Sequence, residues 1–230
     1  FLDKLQQTFG FTPPAHHGHD AVQAMQAMIA GSAKALLCLG GNFAVALPDP
    51  GQCFPAMGKL DLSVHIATKL NRSHLLVARE TFLFPCLGRT ELDMQGGLRQ
   101  AITVEDSMSM VHASAGKLAP ASEFLLSEPA IVAGMARATL PGSRVPWLEL
   151  VADYDKIRDL IEQTVPGFDD YNARIRVPGG FRMPLAAAER QWLTPSGKAE
   201  FFVFPGLHED KEVDGADAVS YTHLTLPTIY

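Results

Sequence analysis

One short run of apolar residues without alternation, Ala35–Leu39, predicts a strand that is buried on both faces of a parallel sheet. The segment Leu62–Ala67 is predicted to form the next strand. Before the run Ala35–Leu39, apolar residues recur at helical spacing, with Asp20 placed to cap the helix and Gly31 placed to end it. A helix followed by a buried strand is half of a nucleotide-binding unit, so the pattern predicts an α/β fold.

Short apolar runs and the helical spacing of apolar residues predict further elements along the chain. Residues 82–84 and 101–104 should form short strands, and a longer helix should cover about residues 147–164. Another helix should open at Ser127 and Pro129. Its predicted apolar face consists of Ile131, Val132, Met135 and Ala136.

Changes of composition divide the chain into regions. Residues 1–165 are predicted to form an open, mostly parallel sheet flanked by helices, and residues 166–189 read as a linker rich in Pro and Gly. Within residues 190–219, the turn Thr194-Pro195-Ser196-Gly197 separates the apolar segments 191–193 and 199–204, so a hairpin should begin a β-barrel-like C-terminal domain. Residues 220–230 change character abruptly and are predicted to be a non-native tail of sequencing-adapter origin.

Composition narrows the class of protein. The chain has 230 residues, a formal charge of −6 and no basic run interleaved with aromatic residues, which argues against nucleic-acid binding. No apolar run reaches the length of a membrane span. The three cysteines form no CxxC pair, so we do not expect a zinc or iron–sulfur site built from this chain alone. The same unpatterned cysteines predict a reducing, cytoplasmic location. Because the chain opens on Phe1 within an amphipathic helix, we expect an internal fragment.

Candidate chemistry begins directly after the first predicted strand. Gly40, Gly41 and Asn42 stand there, and ligands of open α/β sheets bind beyond the carboxyl ends of the strands. Glycines allow backbone N–H groups to approach a phosphate, and Asn adds an amide that donates or accepts hydrogen bonds. The same three residues are also compatible with a plain tight turn.

The end of the second predicted strand carries a further group of hydrogen-bond donors. They are Thr68, Lys69, Asn71 and Arg72. Carboxyl ends of parallel strands lie at the same edge of a sheet, so the sequence places these donors near the Gly-Gly-Asn turn. A pyrophosphate needs backbone donors and one or two cations, and the two segments together supply both.

Several segments, taken in order, resemble the alpha subunits of molybdopterin oxidoreductases related to formate dehydrogenase, within the FdhF/YdeP-type branch. The resemblance extends over about residues 1–205, and the segments HIATKLNRSHL and VEDSMSMVHAS are its most specific parts. The other segments that carry it are GFTPPAHHGHDAVQAM, LGGNFAVALPD, PCLGRTELD, SEPAIVAGMARAT and TPSGKAEF.

The resemblance implies that this chain is part of a large subunit that binds molybdopterin guanine dinucleotide with molybdenum. By position, Gly40, Gly41 and Asn42 would meet the phosphates of the dinucleotide. Thr68, Lys69, Asn71 and Arg72 would meet its guanosine end, where the family typically carries an Asp that this chain lacks. Asp106, Ser107 and His112 would form a polar wall of the cofactor channel, or alternatively a satisfied polar turn.

The family's metal ligand and its [4Fe–4S] cysteines would lie before Phe1, so no catalytic or metal-ligating residue is assigned here and the chain alone is expected to be inactive. The implied partners are formate or a similar small substrate, the rest of the large subunit and an electron-transfer partner. Two alternatives remain: a non-catalytic α/β module that binds a phosphate or nucleotide, and a degenerate family member that has lost its metal site. The chain has no GxGxxG segment with a following acidic ribose ligand, which argues against an ordinary dinucleotide module.

Overall fold

The computed structural model describes residues 1–47 and 49–201. Contacts divide the chain into two units, Phe1–Pro184 and Leu185–Tyr230. The α-helices are α1 (Leu2–Phe9), α2 (Ala21–Ile29), α3 (Phe43–Ala46), α4 (Pro50–Met57), α5 (Glu128–Thr139), α6 (Trp147–Ala152), α7 (Tyr154–Thr164) and α8 (Tyr171–Arg174). The strands are β1 (Ala35–Leu39), β2 (Leu62–Ala67), β3 (Glu80–Pro85), β4 (Met94–Gln95), β5 (Leu98–Arg99), β6 (Ile102–Glu105), β7 (Met110–Ser114) and β8 (Phe181–Arg182).

A parallel sheet in the order β1-β2-β3 forms the centre of the first unit. The predicted α/β fold with a parallel sheet and flanking helices is thereby confirmed. Side chains alternate between the faces of a strand, so Leu36 and Ile66 point to opposite sides of this sheet. Leu36 packs with α2 and α4 around Met57, whereas Ile66 packs with Ile131 of α5.

The other strands of the described residues pair antiparallel. β6, β7 and β8 form one sheet, and β4 pairs with β5. Val111 of β7 packs with Tyr171 and Ile175 from α8 and its end, which closes a separate core. The fold is therefore an α/β sheet followed by a small antiparallel sheet with its own helices.

Local sequence signals explain where several of these helices begin. The Asp20 side chain accepts from the Gln23 N–H while the Gln23 side chain accepts from the Asp20 N–H, a capping box that fixes the start of α2. Ser127 caps α5, as predicted. Gly31 has a φ of 72°, a left-handed conformation that ends α2 without the strain a side chain would add.

The burial predicted for β1 is wrong. In the part of the chain that the structure describes, β1 pairs with β2 alone, and Leu37 is 60% exposed and Leu39 56% exposed. Both leucines share the α5 side of the sheet with Ile66, but α5 packs on Ile66 and Cys86 and leaves the β1 side of that face open. The unbroken apolar run therefore correctly predicts a strand of a parallel sheet, but it does not establish that other elements bury both faces of that strand.

Two smaller expectations also differ from the structure. The helix predicted over residues 147–164 is two helices, since Asp153 adopts an extended conformation and its side chain caps α7 by accepting from the Asp155 N–H. Val132 is exposed, although it was placed on the apolar face of α5.

The predicted C-terminal hairpin is seen only in part. Residues 191–193 form no strand, but the turn itself is present, with the Gly197 N–H donating to the Thr194 oxygen at 3.0 Å. Residues 202–204 and the predicted adapter-derived tail, 220–230, lie outside the described residues. The domain boundaries at 165, 189 and 219 stay predictions.

None of the helices within residues 1–47 and 49–201 combines the length and the apolar character that crossing a bilayer requires.

Candidate functional site

The Gly-Gly-Asn turn follows the carboxyl end of β1, and its first two residues adopt the left-handed conformation that favours glycine. Gly40 has a φ of 68° and Gly41 a φ of 69°. The Gly40 N–H donates to the Ile66 oxygen at 2.8 Å and so extends the sheet. The N–H groups of Gly41 and Asn42 have no acceptor among the described residues, and a Cβ built on Gly41 meets nothing within 4 Å. The turn thus presents free backbone donors to open space.

Asn71 ties this turn to the loop that follows β2. Its Nδ2 donates to the Gly41 oxygen at 2.8 Å, and its Oδ1 accepts from the Ser73 N–H at 2.9 Å. Its own N–H donates to Nδ1 of His74 at 3.1 Å. The side chain therefore holds the turn in place, and the prediction that it contacts a cofactor stays a prediction.

Ser73 makes a second connection between the two segments. Its Oγ donates to Oδ1 of Asn42 at 3.0 Å and accepts from the Ala44 N–H at 3.0 Å. Ser73 is 1% exposed and Ala44 is 0% exposed, so the bond from the Ala44 N–H is sheltered from water, whereas Asn42 is only partly buried. Ser73 was not among the site residues predicted from the sequence. The Asn71-x-Ser73 spacing is typical of an Asx turn and is the local signal that could have found it.

The remaining donors of the β2 loop are solvent-facing. Thr68, Lys69 and Arg72 are exposed. Within residues 1–47 and 49–201, the ammonium group of Lys69 and the guanidinium group of Arg72 have neither an ion-pair nor a hydrogen-bond partner. Of the residues predicted at the end of β2, the structure therefore joins Asn71 to the Gly-Gly-Asn turn, whereas no described contact links Thr68, Lys69 or Arg72 to that turn.

Glu128 adds a carboxylate that the sequence analysis did not place at this site. It is in the first turn of α5, and its Oε1 lies 3.8 Å from the position of a Cβ built on Gly40. Burial, together with the charges of Glu128 and Glu91, raises the pKa of the nearby Cys86 thiol to about 11. The Gly40 side of the turn is thus negative and accepts hydrogen bonds.

A buried polar network fixes the start of α5. Ser127 Oγ lies 2.7 Å from the hydroxyl of Tyr154, which donates to Oδ2 of Asp93 at 2.6 Å. Nε2 of Gln95 donates to the other Asp93 oxygen at 2.6 Å. Burial raises the pKa of Tyr154, and its hydrogen bond to Asp93 adds to the effect. This network holds Glu128, the next residue after Ser127, at one position.

Asp106, Ser107 and His112 are in a different place, on the β6–β7 hairpin. Asp106 Oδ1 accepts from the N–H groups of Met108 and Met110 at 2.8 Å and 3.0 Å, which closes the hairpin turn. His112 lies on β7. No described contact joins any of the three to the Gly-Gly-Asn turn. The geometry of Asp106 is that of a satisfied polar turn, and a role in a cofactor channel stays a prediction.

Known proteins similar to this chain extend well beyond its length. It is 58% identical over 210 residues to "Protein YdeP" of Escherichia coli strain K12, a match that covers 91% of this chain and 28% of the relative. It is 46% identical over 207 residues to "Uncharacterized oxidoreductase Rv2900c" of Mycobacterium tuberculosis strain H37Rv, covering 89% of this chain and 27% of that protein. The chain thus spans just over a quarter of these relatives. No family model matches it.

Proposed function

We propose that this chain is the dinucleotide-binding segment of a larger molybdenum-dependent oxidoreductase of the formate dehydrogenase type. The observation that carries the proposal is the Gly-Gly-Asn turn, which offers free N–H groups to open space beyond a parallel strand. A relative at 46% identity is named an oxidoreductase, which supports the general class of reaction. Molybdopterin guanine dinucleotide is the proposed cofactor.

The residues at the turn fit the chemistry of such a dinucleotide. Its pyrophosphate needs N–H donors and cations, which Gly41, Asn42, Lys69 and Arg72 supply. A guanine base presents N–H donors on one edge, and the carboxylate of Glu128 matches them as an acceptor. Because that carboxylate repels phosphate, the phosphates fit beside Gly41 rather than Gly40.

The work of this chain in such an enzyme would be binding and orientation. The bound cofactor supplies the two-electron chemistry at molybdenum, and the protein supplies position and electrostatics. Asn71 and Ser73 hold the turn rigid, so its donors are in place before a ligand arrives. Formate or a similar small molecule as substrate, a [4Fe–4S] cluster in the remainder of the large subunit, and an electron-transfer partner complete the proposal.

The test is binding of guanosine diphosphate to the 230-residue chain and to its Gly41→Val variant, by calorimetry. A branched side chain at this φ costs about 1–2 kcal/mol in backbone strain. It also blocks the approach of phosphate, whose charge-assisted hydrogen bonds contribute about 1.5–3 kcal/mol each. Loss of two such bonds should weaken binding by about two to four decades.

Gly134→Val is the matched control, since Gly134 lies in α5 and a Cβ there meets nothing within 4 Å. It should bind guanosine diphosphate like the parent. Glu128→Gln should narrow the preference for guanosine over adenosine diphosphate, because an amide places a donor opposite the donors of guanine. A parent chain without affinity for the nucleotide, or a folded Gly41→Val chain with unchanged affinity, would refute the proposed function.

A further inference from the structure

A groove of about 420 Å³ lies between the end of α1 and the helices α6 and α7. Residues 7–10 form one wall of this groove, and residues of α6, α7 and the connection before α6 form the other. None of the residues of α1 is buried, so this helix leaves open space where it lies against α7. Sites for small organic ligands have volumes of about 300–1,000 Å³, so the groove is large enough for one.

Apolar side chains from three elements line the groove. Phe9 lies at the end of α1, Val145 just before α6, Leu150 on α6 and Leu160 on α7. All four are only partly buried, so apolar surface in the groove remains in contact with water. A ligand with an apolar body would displace that water, which is favourable.

Arg144 brings a free guanidinium group to the same groove. Its Nη1 lies 3.6 Å from the position of a Cβ built on Gly10, so the guanidinium group lies against the end of α1 and offsets the partial negative charge there. Arg144 is exposed, and within residues 1–47 and 49–201 its guanidinium group has neither an ion-pair nor a hydrogen-bond partner. Such a group matches the two oxygens of a carboxylate.

Two charged side chains of α7 also line the groove. The ammonium group of Lys156, like that of Arg144, has no partner in the described part of the chain. Asp159 carries the opposing charge, and its Oδ1 accepts from Nδ2 of Asn172 at 2.7 Å. The two free cations and one partly engaged carboxylate leave the groove with a net positive charge, which favours an anionic ligand.

We propose that this groove is a binding site for a small carboxylate with an apolar body. The carboxylate pairs with Arg144 and Lys156, and the body packs on Val145, Leu150 and Leu160. A bare inorganic anion would leave the apolar wall in contact with water, and an uncharged apolar molecule would leave both cations unpaired. None of the lining residues belongs to the Gly-Gly-Asn turn or to the loop after β2, so the site needs none of the function proposed above.

The experiment titrates the 230-residue chain with phenylacetate at constant ionic strength in a calorimeter. Acetate keeps the carboxylate without the ring, and phenylacetamide keeps the ring without the charge. We expect saturable binding of phenylacetate and at least tenfold weaker binding of each analogue. A second titration followed by NMR locates the site, because the backbone amide signals of Gly10, Val145 and Leu160 should shift and that of Gly41 should not.

Arg144→Gln tests the charge in the groove. It should weaken phenylacetate binding about tenfold or more, since it removes a charge-assisted contact, and it should leave the weak binding of phenylacetamide unchanged. Arg182→Gln is the matched control, because it removes the same charge from an exposed arginine on β8 that does not line the groove. It should bind phenylacetate like the parent.

Three results would overturn the proposal. One is the absence of saturable phenylacetate binding, and another is a set of amide shifts confined to residues outside the groove. The third is equal weakening by Arg144→Gln and Arg182→Gln, which would show that phenylacetate responds only to the overall charge of the chain.

Discussion

Ser73→Ala is the substitution that best tests how the candidate site is held together. The hydroxyl of Ser73 joins the Gly-Gly-Asn turn to the β2 loop through two hydrogen bonds of 3.0 Å, one to Asn42 and one from Ala44. Alanine removes both bonds and almost no volume. The change therefore isolates the hydrogen bonds from packing.

The expected cost follows from the burial of each partner. The Ala44 N–H is fully buried and would be left without an acceptor, which costs about 1–3 kcal/mol. Oδ1 of Asn42 is only partly buried and can accept from water instead, so its loss costs about 0.5–1.5 kcal/mol. Together, the loss of both bonds should lower the free energy of unfolding of the variant by about 1.5–4.5 kcal/mol.

Urea unfolding followed by circular dichroism measures this loss, provided that the slope of the transition is the same in both chains. Ser196→Ala is the control, because Ser196 is exposed and its bond to Glu200 is open to water. It should change stability by less than about 0.5 kcal/mol. A Ser73→Ala chain as stable as this control would show that the hydroxyl does not hold the turn.

Three other buried groups give predictions of their own. Gly116→Ala puts a Cβ 1.8 Å from the Glu91 backbone oxygen, so it should lower the free energy of unfolding in urea by about 3 kcal/mol or more. The control Gly134→Ala should raise that free energy by about 0.4–1 kcal/mol, and equal stabilities of the two variants would contradict the prediction. Burial raises the pKa of Tyr154, so this phenol stays protonated in the folded chain at a pH where it ionises in the unfolded chain. The free energy of unfolding should therefore fall as the pH rises above about 10. Phenolate absorbance from Tyr154 in the folded chain at that pH would contradict the prediction. Burial and two nearby carboxylates raise the pKa of Cys86 to about 11, so iodoacetamide at about pH 8 should modify its thiol only after unfolding. Mass spectrometry measures the labelling, and fast modification of Cys86 in the folded chain would refute the prediction.

Local signals in the sequence were enough to locate several elements. The Asp20 cap, the start of a helix at Ser127 and the strand Leu62–Ala67 each depend on residues within or next to the element they specify. Each depends on neighbours in the sequence, so propensity and pattern carry the information. The Gly-Gly-Asn turn belongs to this class, because a left-handed pair of residues calls for glycine.

Contacts between distant residues were out of reach of such signals. Ser73 and Asn71 bond to residues about thirty positions earlier in the chain, and Glu128 reaches Gly40 across a far longer separation. The exposure of Leu37 likewise depends on which element covers the sheet, not on the strand's own residues. The break at Asp153 is different, because an Asp just before a helical segment is a local capping signal. The prediction missed it because apolar residues continue at helical spacing across both helices.

The open side of β1 has a consequence for handling the isolated chain. A strand that pairs on one side only leaves a row of N–H and C=O groups for other chains to pair with, and apolar side chains beside that row favour self-association. Within residues 1–47 and 49–201, Leu37 and Leu39 lie on such a strand. Replacing both with lysine should keep the chain monomeric at concentrations where the parent forms oligomers in light scattering, because a charged edge resists strand addition.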